Sequence, residues 1–113
     1  MEMTGLDPET NRILEIAILI TDSKLDIIDR FHAVIRTPQI YLDQMDDWNT
    51  RTHSNNGLIL EAPKGRFIQE VEVDLLKIAD KHFQGKQIFL CGSSLALDRV
   101  FIDKYLPLSL IHI

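Results

Sequence analysis

Acidic residues at places where a strand or a helix could fix them are the candidates for chemistry in this chain. Glu2 is followed by Met3-Thr4-Gly5-Leu6-Asp7-Pro8-Glu9, an acid on a short strand and then a proline turn. Asp98 stands early in a segment, Leu97 to Tyr105, that reads as a helix. Metal-assisted phosphodiester hydrolysis needs such carboxylates, converging so that two cations sit about 4 Å apart, and rigid elements fix the ligand geometry. Taken singly, Glu2 reads as a solvated acid and Asp98 as a first-turn charge favoured by the helix dipole. Asp46 and Asp47 are adjacent, hence about 100° apart on a helix, so a cap and a solvated acid suit them better than a ligand pair. His32 and His82 have no cysteine or carboxylate at convincing ligand spacing and read as surface histidines.

Bulk composition leaves that chemistry open. The chain has 113 residues, 45% hydrophobic and 26% charged, which suits one globular domain of ordinary size rather than a disordered segment. No run approaches the roughly 18 apolar residues of a membrane helix, and no basic-then-apolar leader opens it, so no membrane partner is expected. The single cysteine, Cys91, cannot pair internally; it reads as a small buried hydrophobe and fits a reducing cytoplasm. A net charge of −5 argues against a broad basic surface for duplex nucleic acid. It does not argue against a nuclease whose cations, rather than its side chains, meet the phosphate.

The elements that must position the acids follow from periodicity. Arg12 to Thr21 is short and isoleucine-rich, which suits a mostly buried strand. A polar turn at Thr21-Asp22-Ser23-Lys24 leads to a second strand, Ile27 to Arg36, and the pair should form an antiparallel hairpin. Pro38 ends the pairing. Short helices are expected over residues 39 to 62, with Asp46 as the N-cap of the one carrying Trp48. Phe67, Val71, Leu75, Ile78, Ala79 and Phe83 share one helical face, closed by Gly85. Gln87 to Cys91 reads as a compact buried strand, and Pro107 stops the last helix. This order predicts an α/β layered domain.

Three segments carry a resemblance. They are Glu2-Met3-Thr4-Gly5-Leu6-Asp7; Met45-Asp46-Asp47-Trp48-Asn49-Thr50-Arg51-Thr52-His53; and Cys91-Gly92-Ser93-Ser94 with Asp98-Arg99-Val100-Phe101 and Lys104-Tyr105-Leu106-Pro107. Together, over residues 1 to 107, they resemble the oligoribonucleases, a family of the DEDD class of 3′-to-5′ exonucleases. The family's first motif reads Asp-x-Glu-Met-Thr-Gly-Leu-Asp, and this chain begins one residue after that Asp. The resemblance implies a ribonuclease H-like exonuclease fold, a mixed sheet with flanking helices, here incomplete. It also implies hydrolysis of short single-stranded RNA from the 3′ end to 5′-mononucleotides, with two divalent cations (Mg²⁺ or Mn²⁺), by a cytoplasmic homodimer.

Residue by residue, Glu2 and Asp98 match the family's catalytic metal ligands. Leu6 matches a leucine that wedges between terminal bases, against ordinary packing behind the proline turn; Trp48 either stacks on a base or anchors its helix by its largest side chain, and His53 would touch substrate beside it. Ser94 matches a serine that helps cap the 5′ phosphate. Ser93 stands where Asn is usual, and Ala96 where a polar residue often stands. The first Asp, the catalytic His and the last Asp of the family have no matching position, so the chain by itself is expected to be inactive. Leu108-Ser109-Leu110-Ile111-His112-Ile113 resembles the translation of a sequencing adapter, which divides the chain into a partial exonuclease domain, 1–107, and a foreign tail, 108–113. Two alternatives remain open: another DEDD-class DNA or RNA exonuclease, and a noncatalytic nucleic-acid-binding domain of the same fold.

Overall fold

The isoleucine-rich run after Arg12 becomes the middle strand of a three-stranded sheet in the computed structural model, which describes residues 1–110. Strand β2 (Ile13–Thr21) pairs antiparallel with β3 (Ile27–Val34) and, on its other edge, with the two-residue strand β1 (Glu2–Met3). β-Branched side chains fit that pleated surface well. The hairpin link turns on Asp22, whose Oδ1 accepts the backbone N–H groups of Lys24 (2.8 Å) and Asp26 (3.0 Å).

Register then decides what each face meets. Ile16 sits opposite Ala33 and Ile18 opposite Phe31, and this face meets the two longer helices, α4 (Ile68–Phe83) and α5 (Leu95–Tyr105). Val71 of α4 and Phe101 of α5 are fully buried there. Each such side chain stabilises the fold by about 1.5–3 kcal/mol through area removed from water. A smaller cluster joins Leu14 to Leu42, Leu58 and Ala62. These come from the short helices α1 (Gln39–Asp43) and α3 (Leu58–Glu61) and the 3₁₀ turn Ala62–Lys64. Gly65 is required by backbone proximity, since a Cβ there would lie 2.5 Å from the Ile35 carbonyl carbon. That approach lets Arg66 N–H donate to Val34 O (2.9 Å) and Arg36 N–H to Arg66 O (2.8 Å).

Helix α2 (Asp47–Asn55) starts where the sequence places it. Asp46 Oδ1 accepts the Asn49 N–H at 2.8 Å, which satisfies one of the donors a helix leaves unpaired at its start. Asp46→Ala should therefore cost about 1 kcal/mol, read as a lower urea midpoint. An unchanged midpoint would mean that α2 is held by its packing alone.

Four expectations need correction or trimming. Gln87–Cys91 is not a strand: the segment runs without regular structure, Phe89 is 77% exposed, and only Leu90 packs on the core. A strand exists through its ladder, and the edge strand β1 spans only two residues. Cys91 is exposed rather than buried, because it ends that unpaired segment. His82 is not a surface residue: its side chain is 15% exposed and its Nε2–H donates to Asp29 Oδ2 at 2.7 Å. That bond, then the Arg30 backbone N–H, holds the Asp29 carboxyl below its ordinary value. Finally, Pro107 ends α5 as expected but also opens a short helix, α6 (Pro107–Leu110), a position where the missing N–H costs nothing. The backbone N–H of Ser109 donates to the buried Glu72 at 2.8 Å. The expectation of a foreign tail over 108–113 falls partly outside the described residues. Among those described, no helix is long and apolar enough to cross a membrane.

Candidate functional site

The candidate residues lie on β1, the loop after it, α2 and α5 with the turn before it. Met1 and Met3 pack against the cluster that contains Phe101, so the alternation of a strand turns Glu2 to the opposite side, where it is exposed. Glu2 lies opposite Glu15 in the β1–β2 register, and Glu15 Oε2 accepts from His32 Nε2 at 2.7 Å on the same side of the sheet. His32 itself is exposed, as its sequence context predicts.

Asp98 stands on α5. Phe101 and Ile102, three and four positions further on, are both buried, so Asp98 sits at the rim of the helix's inward face and is half-buried. Its backbone N–H donates to Ser94 O at 3.0 Å. A Cβ on Gly92 would lie 3.3 Å from Asp98 Oδ2, so the turn before α5 lies against the carboxylate. Glu2 and Asp98 thus stand on two elements that pack on one core cluster.

These carboxylates do not by themselves complete a metal centre. Hard divalent cations take six or so oxygen ligands, several of them from the protein. Among the described residues no three His, Cys, Asp or Glu side chains are grouped to hold an ion.

Helix α2 divides its two candidates. Five residues apart on a helix means about 140° apart in direction, and Trp48 is 67% exposed while His53 is 1% exposed. His53 Nε2–H donates to the Met3 carbonyl at 2.8 Å, and Nδ1 accepts from Asn56 Nδ2 at 3.2 Å. His53 therefore ties α2 to the backbone next to Glu2, and both of its ring nitrogens are engaged. Trp48 faces outward and is not the buried anchor of its helix. Leu6, in the loop after β1, is 74% exposed. Ser94 is the N-cap residue of α5, yet its hydroxyl makes no capping bond. Glu2, Leu6, Trp48 and Ser94 are thus open to solvent, and His53 is not.

Sequence reasoning missed the residues that hold this loop. Arg12 reaches both tyrosines of the chain, Tyr41 and Tyr105, at 2.7 Å each. The available signal was a lone arginine at the mouth of an apolar strand, where a charge persists only with partners.

Comparison with known proteins supplies the family. The profile of the exonuclease family matches residues 1–113. The oligoribonuclease of Marinobacter nauticus is 43% identical over 109 residues, covering 95% of this chain and 61% of the relative. That of Coxiella burnetii is 44% identical over 110 residues, again 95% of this chain and 60% of the relative. That of Neisseria meningitidis serogroup C is 42% identical over 110 residues, with 58% of the relative covered. The chain thus spans about 60% of the length of the curated relatives it matches. A profile match along the whole sequence, on a mixed α/β fold, places this chain in the exonuclease family.

Proposed function

We propose that this chain is part of a 3′-to-5′ exoribonuclease that degrades short oligoribonucleotides to 5′-mononucleotides. The observation that carries the reading is the surface around β1. Two large apolar side chains, Leu6 and Trp48, stand 74% and 67% exposed on elements joined to the strand that bears Glu2. Exposed aromatic and apolar side chains on the loop and the helix that adjoin this strand suit a base that must be held while its phosphate is attacked. The names of the relatives, oligoribonucleases, support the RNA substrate.

In this reading Glu2 and Asp98 are the metal ligands this chain contributes. The two cations, Mg²⁺ or Mn²⁺, would activate the attacking water and stabilise the leaving oxygen. Leu6 and Trp48 hold the terminal bases, and Ser94 meets the phosphate at the start of α5. His53 serves the site from behind, by fixing α2 against β1. The working protein is a cytoplasmic homodimer. Residues 1–107 are its exonuclease portion and 108–113 a foreign tail, which the flanking DNA sequence decides.

Trp48→Ala tests the base-holding role. Loss of one stacked base should weaken dinucleotide binding by about 1–3 kcal/mol with the metal requirement unchanged. Equal affinity in calorimetry would make Trp48 an ordinary surface residue.

The reaction itself is tested with the natural full-length protein, a short RNA labelled at its 5′ end, and Mn²⁺. A ladder shortening from the 3′ end, slower on DNA of the same sequence, is the expected product pattern. Internal cuts would contradict the exonuclease reading. Tight binding without cleavage would favour the noncatalytic binding domain, and faster cleavage of DNA would favour a DNA exonuclease.

A further inference from the structure

One guanidinium closes the loop that follows β1. Arg12 Nη1 donates to Tyr105 Oη (2.7 Å) and to Asn11 O (3.0 Å), while Nη2 donates to Tyr41 Oη (2.7 Å). The same group lies 4.1 Å from the Tyr41 ring centroid and 5.3 Å from that of Tyr105. Tyr105 Oη in turn lies 2.7 Å from the carbonyl oxygens of both Pro8 and Asn11, which share its single proton. Tyr41 belongs to α1 and Tyr105 to α5, so two distant helices grip one loop through one side chain.

The loop is also locked from within. Thr4 N–H donates to Arg12 O (2.9 Å), and Arg12 N–H donates to Thr4 Oγ1 (3.0 Å). Asn11 Oδ1 accepts the Asp7 N–H at 2.9 Å, and a Cβ on Gly5 would come within 2.5 Å of that oxygen. Lys104 Nζ pairs with Glu9 Oε2 at 2.6 Å from the same end of α5. Leu6 sits in the middle of this framework with its side chain exposed. A loop with so many backbone fasteners yet an apolar side chain left in water is built to present that side chain, not to bury it.

We infer that Arg12, Tyr41 and Tyr105 are positioning residues that hold Leu6 in one orientation toward the terminal nucleotide of the substrate. The inference rests on the exonuclease reading for what Leu6 meets. Without the clamp the loop would have to be ordered during binding, and that ordering subtracts from affinity. Arginine suits the task because its planar fork serves two hydroxyls while its faces lie against two rings; a lysine ammonium is a point charge.

The test compares Tyr105→Phe and Arg12→Lys with the parent in the natural full-length protein. Tyr105→Phe keeps the ring that stacks on Phe101 and removes only the hydroxyl. Amide hydrogen exchange over residues 5–11 should quicken in both variants. Hydrolysis of the dinucleotide pApA should show KM raised about tenfold and kcat within about twofold, the pattern of a binding-competent state made less populated. Val71→Ala, a buried change in α4, should lower the melting temperature and leave KM alone. Loop amides as slow as the parent's, or the parental KM, would overturn the positioning role while the exonuclease reading stands. An equal rise of KM in Val71→Ala would overturn it too, since general instability would then be the cause. A parent protein that does not cleave pApA would overturn both readings together.

Discussion

Asp98→Asn in the natural full-length protein should slow turnover of a short RNA by about 10³-fold or more, the loss expected when several kcal/mol of metal-borne charge stabilisation goes. The substitution is nearly isosteric, and the bond from residue 98 N–H to Ser94 O uses the backbone alone. Phe101 and Ile102 keep their burial on the same helix face. Circular dichroism and the melting temperature should therefore match the parent while activity is lost. Glu2→Gln should behave alike, because Glu2 is exposed and the packing of β1 rests on Met1 and Met3. Full activity of either variant would return that acid to a solvated or helix-dipole charge.

Phe101→Ala should lower stability by about 3–5 kcal/mol, the usual cost of emptying a buried aromatic site. Phe101 is fully buried in the cluster that joins β2, β3, α4 and α5, and Tyr105 stacks on it with centroids 6.1 Å apart. The sheet beneath has three strands, one of them only two residues long, so few contacts can compensate. Against a total stability of about 5–15 kcal/mol, the variant should unfold at far lower urea or not fold at all. A loss under about 1 kcal/mol would show that α5 does not pack on the sheet in solution.

The fold was legible wherever one local rule had no competitor. Ile-rich β2, the Asp22 turn and β3 followed from alternation and turn chemistry, and α4 followed from the spacing of Val71, Leu75 and Ile78. Asp46 as a cap followed from residue type. The segment Gln87–Cys91 failed because a strand depends on a partner edge that its own letters do not describe. His82 and Asp29 are 53 positions apart, so no spacing rule could pair them.

The candidate site depends on the same distinction between local and distant signals. Glu2, Trp48 and Asp98 lie inside continuous motifs and could be singled out by resemblance. That His53 turns inward to Met3 was half visible, since five residues separate it from Trp48 and the two cannot share a face. The grip of Arg12 on Tyr41 and Tyr105 spans 29 and 93 positions and belongs to tertiary structure alone.

Incubating the natural full-length protein with 5′-labelled pApA and Mn²⁺, and resolving the labelled products, tests most directly whether this chain carries part of an exoribonuclease site. The expected result is labelled 5′-mononucleotide, formed at a rate that follows the protein through purification, requires the cation and disappears in Asp98→Asn. A natively folded protein that binds pApA and leaves it intact under those conditions would contradict the account.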